Sequence, residues 1–360
     1  THECSSAASD VYKIQNMNNF VAVAFWRCGA AVVLFASLLA CDNAGQYRLM
    51  QGETMGTYYR IQYAHNAACQ PSQFAVEQLL GSFNQSLSTY IADSEVSQVN
   101  QTPAGQAVSL SKRFEVALRA ASELWQDSGG AFDVTVGPLV NLWGFGPTTP
   151  LQWPPTEGQQ NAAAAAVGMQ QLTLHEDGTL RKQLSDTYID LSSIAKGQAV
   201  DEVSETLLAG GCEHFLVDIG GEVRGSGVNV QQRPWRVGIE VPNSERVGAV
   251  QRVLSVADIS VATSGDYRNF RQFNGQRVDH VIDPRTGKPA DNAVVAVSVM
   301  HPSAMWADAY ATTLMVLGTE EGLAFAEQHK LAALILTKSP SGEVVAVSYT
   351  HLRAHETTDN

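Results

Sequence analysis

The sequence predicts an α+β fold, in which strands of more than one kind are mixed with helices instead of forming a doubly wound sheet. Residues 71–87 and 114–125 carry apolar side chains at helical spacing, whereas 58–63 alternates and 294–300 is a short apolar run, as in strands. No GxGxxG motif follows a first strand and no GxxxxGK[ST] motif occurs. Dinucleotide binding of the usual Rossmann or P-loop kind is therefore not indicated.

The spacing of apolar residues and the positions of turn residues also predict the remaining helices, strands and loops. The proline-rich stretch 143–157 is expected to be a loop. Further helices are predicted at 161–167, 197–208, 303–317 and 320–328. Further strands are predicted at 189–194, 215–219, 236–241, 253–261 and 344–348, with a hairpin over 171–184 that turns at Asp177-Gly178.

Charge and cysteine content exclude several classes of protein. The 360 residues include 23 Lys plus Arg and 36 Asp plus Glu, giving a formal net charge of −13. Such an acidic protein argues against a nucleic-acid partner, because the phosphates would be repelled. An anionic small ligand stays compatible, since a metal ion or a helix N-terminus reverses the local field. Five cysteines without a CxxC motif predict neither a disulfide scaffold nor a zinc site.

Residues 17–40 have the pattern of a lipoprotein signal peptide. The apolar run from Cys28 to Cys41 is 14 residues long, shorter than the roughly 20 residues that a membrane-spanning helix needs. The run ends in Leu-Leu-Ala-Cys, which resembles a lipobox, so Cys41 is the expected site of lipidation. A plain secretory signal with an incidental cysteine is the alternative.

The signal predicts a protein tethered to the bacterial inner membrane at its periplasmic face, because Asp42 follows the lipidated cysteine as in retained enterobacterial lipoproteins. Residues 1–16 precede the expected start and are interpreted as a non-native or upstream extension. Residues 349–360 lack an apolar period and are interpreted as a tail of doubtful origin. The folded domain is expected over 41–348.

Besides the expected lipidation site Cys41, the domain contains Cys69 and Cys212, and a periplasmic setting permits a disulfide between them. The sequence does not show whether their Cα atoms approach each other, so their pairing is open at this point.

Two glycine-containing segments carry candidate chemistry. Residues 190–197 lead through small residues into a helix, and free N–H groups there, with the charge of Lys196, would suit a pyrophosphate. Tight packing of this corner is the alternative. Residues 217–222 end a strand in Gly220-Gly221, which lets a ligand approach the backbone closely. For this segment alone a simple turn is favoured.

Two polar segments carry further candidates. In 279–289, His280 precedes an Asp-Pro turn and is placed to touch a ligand at a strand end, although a lone histidine is more often structural. Thr263-Ser264 forms a similar polar corner. Asp308 and Thr312 are four residues apart and share one helix face. Their hard oxygen atoms would suit Mg²⁺ beside phosphates, while a plain small-residue helix is the alternative.

Together these segments resemble the ApbE family, the FAD:protein FMN transferases, over about residues 47–348. The lipobox agrees with this resemblance. The motifs stand in the family's order: Met55-Gly56-Thr57, Ser88-Thr89-Tyr90, 132–139, 190–197, 218–222, 280–289 and 307–312.

The resemblance implies mixed or antiparallel sheets with packed helices, and FAD bound in an elongated cleft. Family members use Mg²⁺ to transfer FMN from FAD to a Thr or Ser hydroxyl of a partner redox protein, and AMP leaves. The usual acceptors are subunits of Nqr-type and Rnf-type membrane redox complexes. Two other activities stay open: an FAD pyrophosphatase that yields FMN and AMP, and a non-enzymatic periplasmic flavin carrier.

The resemblance also implies roles for individual residues. The carbonyl of Ala195, Asp308 and Thr312 would hold Mg²⁺. His280 would lie at the reacting pyrophosphate and accept or position the hydroxyl proton, and Lys196 would offset phosphate charge. The residues expected to contact FAD are Met55, Ser88, Thr89, Tyr90, Asp133, Lys196, Gly220, Gly221, Glu222, Thr263, Ser264, His280 and Ile282.

Overall fold

The computed structural model describes residues 46–148, 153–240, 250–265, 270–273 and 276–348. Its strands are β1 (Gln46–Thr54), β2 (Thr57–His65), β3 (Ala107–Ser109), β4 (Leu172–Leu174), β5 (Thr179–Lys182), β6 (Phe215–Ile219), β7 (Glu222–Ser226), β8 (Trp235–Glu240), β9 (Val250–Val256), β10 (Ile259–Gly265), β11 (Phe270–Phe273), β12 (Gln276–Asp279), β13 (Ile282–Asp283), β14 (Lys288–Pro289), β15 (Val294–His301), β16 (Ala332–Lys338) and β17 (Val344–Ser348). Its helices are α1 (Gln73–Leu87), α2 (Glu95–Gln101), α3 (Lys112–Asp127), α4 (Gly137–Leu142), α5 (Glu157–Ala164), α6 (Ser192–Ala209) and α7 (Ala304–Gln328).

An eight-stranded antiparallel sheet forms the centre of the fold, in the order β1-β2-β6-β7-β10-β15-β16-β17. Helices α1, α3, α6 and α7 contribute to a core on one face of this sheet. The β8–β9 hairpin covers part of the other face and packs through Trp235 and Leu254. The expected α+β architecture with antiparallel sheets and packed helices is confirmed.

The central strand β6 shows why this layering follows from the sequence. All five of its residues are buried, which is typical of a strand covered on both faces. Phe215, Val217 and Ile219 face the helical core, whereas Leu216 packs on the hairpin side. Successive side chains point to opposite faces, so the continuous apolar run serves two cores at once.

Helix α7 contains a break that the sequence indicated. Gly318 has φ 76° and ψ −169° and interrupts the helical backbone. The two predicted helices at 303–317 and 320–328 therefore correspond to the two parts of α7. The N-terminus is capped by Ser303, whose side chain accepts a hydrogen bond from the amide of Trp306.

The predicted strand at 189–194 is wrong, because α6 already begins at Ser192. The residues before it form a loop with an isolated parallel bridge between Tyr188 and Val136, and the amide of Asp190 donates to the carbonyl of Val134 at 2.7 Å. The side chain of Asn100 instead binds the backbone of Ile189, accepting from its amide at 2.7 Å and donating to its carbonyl at 2.9 Å. A distant side chain thus satisfies backbone groups that a sheet would otherwise pair.

Two other predicted elements have different bounds. The run at 253–261 is two strands, because Asp258 adopts a left-handed turn (φ 53°) between β9 and β10. The helix predicted at 161–167 is α5, which starts earlier, at a capping box formed by Thr156 and Gln159. The strand expected to carry His280 ends one residue earlier, at Asp279 of β12, and His280 lies in the bend before β13. The short elements α2, α4, β3, β11 and β14 and the strands β1, β7 and β16 were not predicted.

Cys69 and Cys212 form a disulfide with a Cα–Cα distance of 4.6 Å. The bond ties the segment after β2 to the segment after α6, across 143 residues of chain. Disulfides persist mainly in oxidising compartments, so this bond is compatible with the expected periplasmic location.

Residues 1–16, the signal peptide at 17–40, the lipidation site Cys41 and the tail at 349–360 lie outside the described residues. Within the residues that are described, no helix combines the length and the apolar character required to cross a membrane.

Candidate functional site

Helices α6 and α7 cross at Gly197 so closely that a larger residue would not fit. A Cβ atom at this position would clash with the carbonyl group of Ala304 and lie 2.8 Å from the Cβ of Asp308. The amide of Gly197 donates to Oδ2 of Asp308 at 3.0 Å. The glycine therefore brings the carboxylate of α7 against the N-terminal turns of α6.

Lys196, Glu222 and Asp308 form one charge cluster, which brings together α6, β7 and α7. The Nζ atom of Lys196 lies 2.9 Å from Oε1 of Glu222 and 3.6 Å from Oδ1 of Asp308. Both carboxylate side chains are only 3% exposed, whereas that of Lys196 is 31% exposed. Two acids thus share one cation, and the cluster is net negative unless it takes up a proton or a further cation.

Burial raises the pKa of both carboxyl groups in the charge cluster. The pKa of Glu222 rises from 4.5 to about 7, because burial and the negative Asp308 outweigh the attraction of Lys196. Burial likewise raises the pKa of Asp308, against the opposing effects of Lys196 and the Gly197 amide. Burial lowers the pKa of Lys196, but the two carboxylates raise it by more. Lys196 therefore stays charged, and Glu222 is the group that titrates near neutral pH.

Hydroxyl groups of α7 and β10 lie next to the charge cluster. Thr312 follows Asp308 by one helical turn, as its spacing predicted. Its Oγ1 is 3.2 Å from Oγ of Ser264. Ala195 directly precedes Lys196 in α6, so the three residues expected to hold Mg²⁺ all lie near the α6–α7 crossing.

The oxygen atoms at this crossing suit a hard divalent cation. The Asp308 carboxylate and the Thr312 hydroxyl are ligands of the type that Mg²⁺ prefers. Oε2 of Glu222 is buried and has no hydrogen-bond partner among the described residues, so the cluster has an unused acceptor. Over the described ranges, no group of three or more His, Cys, Asp or Glu side chains is placed to hold a metal. The expected set is of another kind, with one carboxylate, one hydroxyl and one backbone carbonyl.

Two tight turns lie side by side at one end of the main sheet. Met55-Gly56 joins β1 to β2 and Gly220-Gly221 joins β6 to β7, and all four residues have positive φ. A Cβ atom on Gly220 would lie 2.7 Å from Cγ2 of Thr57. Glu222 follows the second turn directly, so this pair of turns positions the carboxylate that binds Lys196.

A cavity of about 390 Å³ lies beside Thr89 and Tyr90. Tyr188 forms another part of its wall. Sequence reasoning missed Tyr188, since it belongs to no recognised motif. The only signal was the position of Tyr188 just ahead of the 190–197 segment.

Phe145 connects the Ser88-Thr89-Tyr90 segment with His280. The hydroxyl of Tyr90 donates to the carbonyl of Phe145 at 3.2 Å. The ring of Phe145 meets the imidazole of His280 edge to face, with 6.3 Å between centroids. Arg271 holds the same loop by donating to the carbonyl of Gly144 at 2.5 Å. Phe145 and Arg271 were not predicted, because contacts between distant loops leave no local pattern.

Asp133 lies in the interior and its carboxylate is bound by the protein. Oδ1 accepts hydrogen bonds from the amide and the hydroxyl of Thr135, at 2.7 Å and 2.5 Å. Oδ2 accepts from the amide of Met169 at 3.1 Å. Asp133 thus fixes the loop that leads into α4, and its contact with FAD stays a prediction.

Three other residues expected to contact FAD also have partners within the protein. The hydroxyl of Ser88 accepts from the amide of Tyr90 at 3.3 Å. The hydroxyls of Thr263 and Ser298 are 2.8 Å apart. Ile282 is buried in a small apolar cluster with Leu139 and Trp143. The structure thus places the expected residues in two groups, one at the charge cluster and one around the cavity and His280.

Comparison with known proteins identifies the family. The model of the ApbE family matches residues 55–335. Over 317 residues the chain is 41% identical to a protein of Vibrio cholerae serotype O1 named FAD:protein FMN transferase, covering 86% of this chain and 94% of that one. A Haemophilus influenzae protein of the same name is 38% identical over 337 residues, with 91% and 97% covered. This chain belongs to the ApbE family.

Solved structures of ApbE proteins have the same fold. The flavin transferase ApbE of Vibrio cholerae superposes with a TM-score of 0.79 at 39% identity, covering 86% of this chain and 99% of that one. The apo form of the Pseudomonas stutzeri flavinyl transferase ApbE also gives 0.79, at 36% identity, with 86% and 96% covered. The resemblance found in the sequence is confirmed, and this ApbE protein is an enzyme.

Gly197→Ala should destabilise this ApbE domain. The added methyl group meets the backbone of Ala304, and overpacking of this kind costs about 1–3 kcal/mol of unfolding free energy. Urea denaturation followed by circular dichroism measures the loss. The matched control is Gly81→Ala in α1, where no atom lies within 4 Å of the new Cβ. The control should be stabilised by about 0.5–1 kcal/mol, and equal effects of the two substitutions would contradict the close crossing.

Glu222→Gln should change how stability depends on pH. Between pH 4.5 and about 7 the folded protein keeps a proton on Glu222 that the unfolded chain has released. The free energy of unfolding of the wild type therefore falls as pH rises through this window, and the variant lacks this contribution. The measurement is urea denaturation in the presence of a chelator. The free energy of unfolding of the variant, relative to that of the wild type, should rise from about pH 5 to about pH 7.5. A constant difference would show that the pKa of Glu222 is not raised.

Proposed function

We propose that this protein transfers FMN from FAD to a Thr or Ser hydroxyl of a partner redox protein, in a Mg²⁺-dependent reaction that releases AMP. The observation that carries the proposal is the charge cluster of Lys196, Glu222 and Asp308, next to the hydroxyls of Thr312 and Ser264. It offers one fixed cation and spare anionic oxygens at the same place, which suits a pyrophosphate held together with a divalent cation. The names of the relatives support the same activity.

The proposed reaction is a substitution at the phosphorus of the FMN half. The acceptor oxygen forms a new P–O bond, the bridging P–O bond to the AMP half breaks, and AMP leaves with that electron pair. The hydroxyl proton passes to a base, for which His280 is the candidate. Lys196 offsets the charge that develops on the phosphate oxygens, and its own charge is secured by two carboxylates.

Asp308, Thr312 and the carbonyl of Ala195 are the proposed ligands of Mg²⁺. A bound divalent cation would supply charge neutralisation at the phosphates. Asp308 is held by the amide of Gly197, so its carboxylate is oriented before any ligand arrives. With such a cation bound, the net negative charge of the protein would not prevent binding of the doubly negative pyrophosphate of FAD.

The proposed path of FAD runs between the two groups of residues. The cavity beside Thr89, Tyr90 and Tyr188 is suited to a flat aromatic ring, because tyrosines flank it. The turns at Met55-Gly56 and Gly220-Gly221 would line the path toward the charge cluster.

We further propose that the protein is lipid-anchored through Cys41 at the periplasmic face of the inner membrane, with Nqr-type or Rnf-type subunits as acceptors. The lipobox motif supports the anchor, and the disulfide between Cys69 and Cys212 supports an oxidising compartment.

One assay tests the proposed activity. Purified protein is incubated with FAD and Mg²⁺, with and without an acceptor domain that contains the target hydroxyl. A mass increase of the acceptor by one FMN, with AMP released, is expected. AMP release without an acceptor would show a pyrophosphatase instead, and intact bound FAD in both samples would show a carrier.

Asp308→Asn should reduce FMN transfer by more than about tenfold, since even the outer partners of metal ligands contribute about 10–100-fold. The substitution keeps the size of the side chain but removes its charge. Flavin fluorescence quenching should still show FAD binding, because Tyr90 and the cavity are unchanged. The control is Asp177→Asn, which removes a carboxylate from an exposed hairpin turn. Unchanged transfer by Asp308→Asn at limiting Mg²⁺ would remove Asp308 from the proposed metal site.

His280→Ala should lower the transfer rate at saturating FAD by about 10²–10⁴-fold, the usual contribution of a general base. Transfer rates measured over a range of FAD concentrations separate two roles. A loss that persists at saturation supports proton transfer by His280. Full rescue by high FAD would mean that His280 contributes only to binding. Phe145→Leu, which removes the aromatic neighbour and keeps His280, is the matched comparison.

A further inference from the structure

Asp201 of α6 lies outside the recognised motifs, yet its carboxylate is bound from both sides. The residue is buried, with 9% exposure. Oδ1 accepts from Nη1 of Arg224 at 2.8 Å and from the amide of Ala304 at 2.9 Å. Oδ2 accepts from the hydroxyl of Ser303 at 2.6 Å and from the amide of Met305 at 3.0 Å. Both oxygens are therefore used for structure, and neither is offered to a ligand.

These hydrogen bonds complete a reciprocal contact between α6 and α7. The amide of Gly197 on α6 donates to Asp308 on α7. Four residues further along α6, Asp201 accepts from the amide of Ala304, four residues before Asp308 on α7. Each helix thus gives a carboxylate to the backbone of the other, one turn apart. Two such contacts fix both the separation and the register of the helices.

Charge strengthens this contact. The first amides of a helix have no partner within the helix, and its dipole favours an anion there. The carboxylate of Asp201 satisfies two of these amides at the start of α7. On its other side it pairs with Arg224 of β7, which is two residues from Glu222 and therefore on the same face of that strand. One carboxylate joins the three elements that carry the charge cluster.

We propose that Asp201 is a positioning residue that sets the cation affinity of the site. It holds Asp308 and Thr312 of α7 at their distance from Lys196 and Glu222, and it touches neither substrate nor metal. The inference rests on the proposed function for its metal readout. Groups that hydrogen-bond a metal ligand typically contribute about 10–100-fold in affinity or activity. Asp201 acts one contact further out, through the amides of Ala304 and Met305, so we expect an effect near the lower bound.

The test compares Asp201→Asn with Glu202→Gln. Glu202 is the next residue of α6 and pairs with Arg113 of α3 at 2.7 Å, so its loss removes an ion pair on the side of α6 that faces α3. Mn²⁺ is the probe, titrated by electron paramagnetic resonance into the protein with FAD and no acceptor. Asp201→Asn should weaken Mn²⁺ binding by about tenfold or more, and Glu202→Gln by less than about twofold. Ser303→Ala removes one of the four hydrogen bonds to Asp201 and also the N-cap hydrogen bond from the amide of Trp306, and it keeps the Asp201 carboxylate. Its effect should lie between those of the other two variants, and it serves if Asp201→Asn does not fold.

A kinetic readout separates positioning from a general loss of stability. In the transfer assay, Asp201→Asn should require more Mg²⁺ for half-maximal rate, recover most of its kcat at high Mg²⁺ and keep its KM for FAD. Circular dichroism at the assay temperature should show that both variants are fully folded without Mg²⁺, because Mg²⁺ binding would also refold a variant that is merely less stable. Equal Mg²⁺ and Mn²⁺ dependence in Asp201→Asn and Glu202→Gln would overturn the inference.

Amide hydrogen exchange without metal or flavin keeps this test independent of the proposed function. Residues 304–312 should exchange faster in Asp201→Asn than in Glu202→Gln. Equal protection in the two variants would show that Asp201 does not position α7. If the wild type binds no Mn²⁺, the proposed metal dependence fails, while hydrogen exchange still decides the role of Asp201.

Discussion

The close approach of α6 and α7 at Gly197 is the constraint on which the candidate functional site depends. Only with hydrogen at this position do the two backbones come near enough for the Gly197 amide to bind Asp308. Once the helices touch, Lys196 on one and Asp308 on the other fall within reach of each other, and Glu222 of β7 completes the cluster. The capping carboxylate of Asp201 holds the same two helices together one turn further along α6.

The electrostatics of the charge cluster are unfavourable for stability and suited to function. Two buried carboxylates share one ammonium group, and burying a charge without a full set of partners costs free energy. The raised pKa of Glu222 is the direct result, because protonation relieves the repulsion. A divalent cation would relieve it in the same way. Arrangements that reduce stability in this way are found mainly at functional sites, where the chemistry requires them.

Local sequence patterns predicted the elements whose signal lies within a single segment. Helices α1 and α3, the β4–β5 hairpin and the break of α7 at Gly318 were found because apolar period, capping and glycine act over a few residues. The segment 189–194 was wrongly predicted to be a strand because its apolar residues are buried, as in a strand, although they belong to an irregular loop and to the start of α6. Asn100, about ninety positions away in the chain, satisfies the backbone of that loop. The i, i+4 spacing of Asp308 and Thr312 was likewise correct, since a helix determines it alone.

By itself the sequence determined the α+β class and the family and offered candidate residues for the site, because motifs and the spacing of apolar residues are local properties of the chain. It could not determine which of these residues meet. The pairing of Cys69 with Cys212, the sharing of Lys196 between two acids and the loop contacts of Phe145 were decided by tertiary structure. The carboxylate of Asp201 illustrates the same limit. Its partners come from a strand and a second helix, and contacts between segments far apart in the chain arise only when the sheet order and the helix crossing bring those segments together.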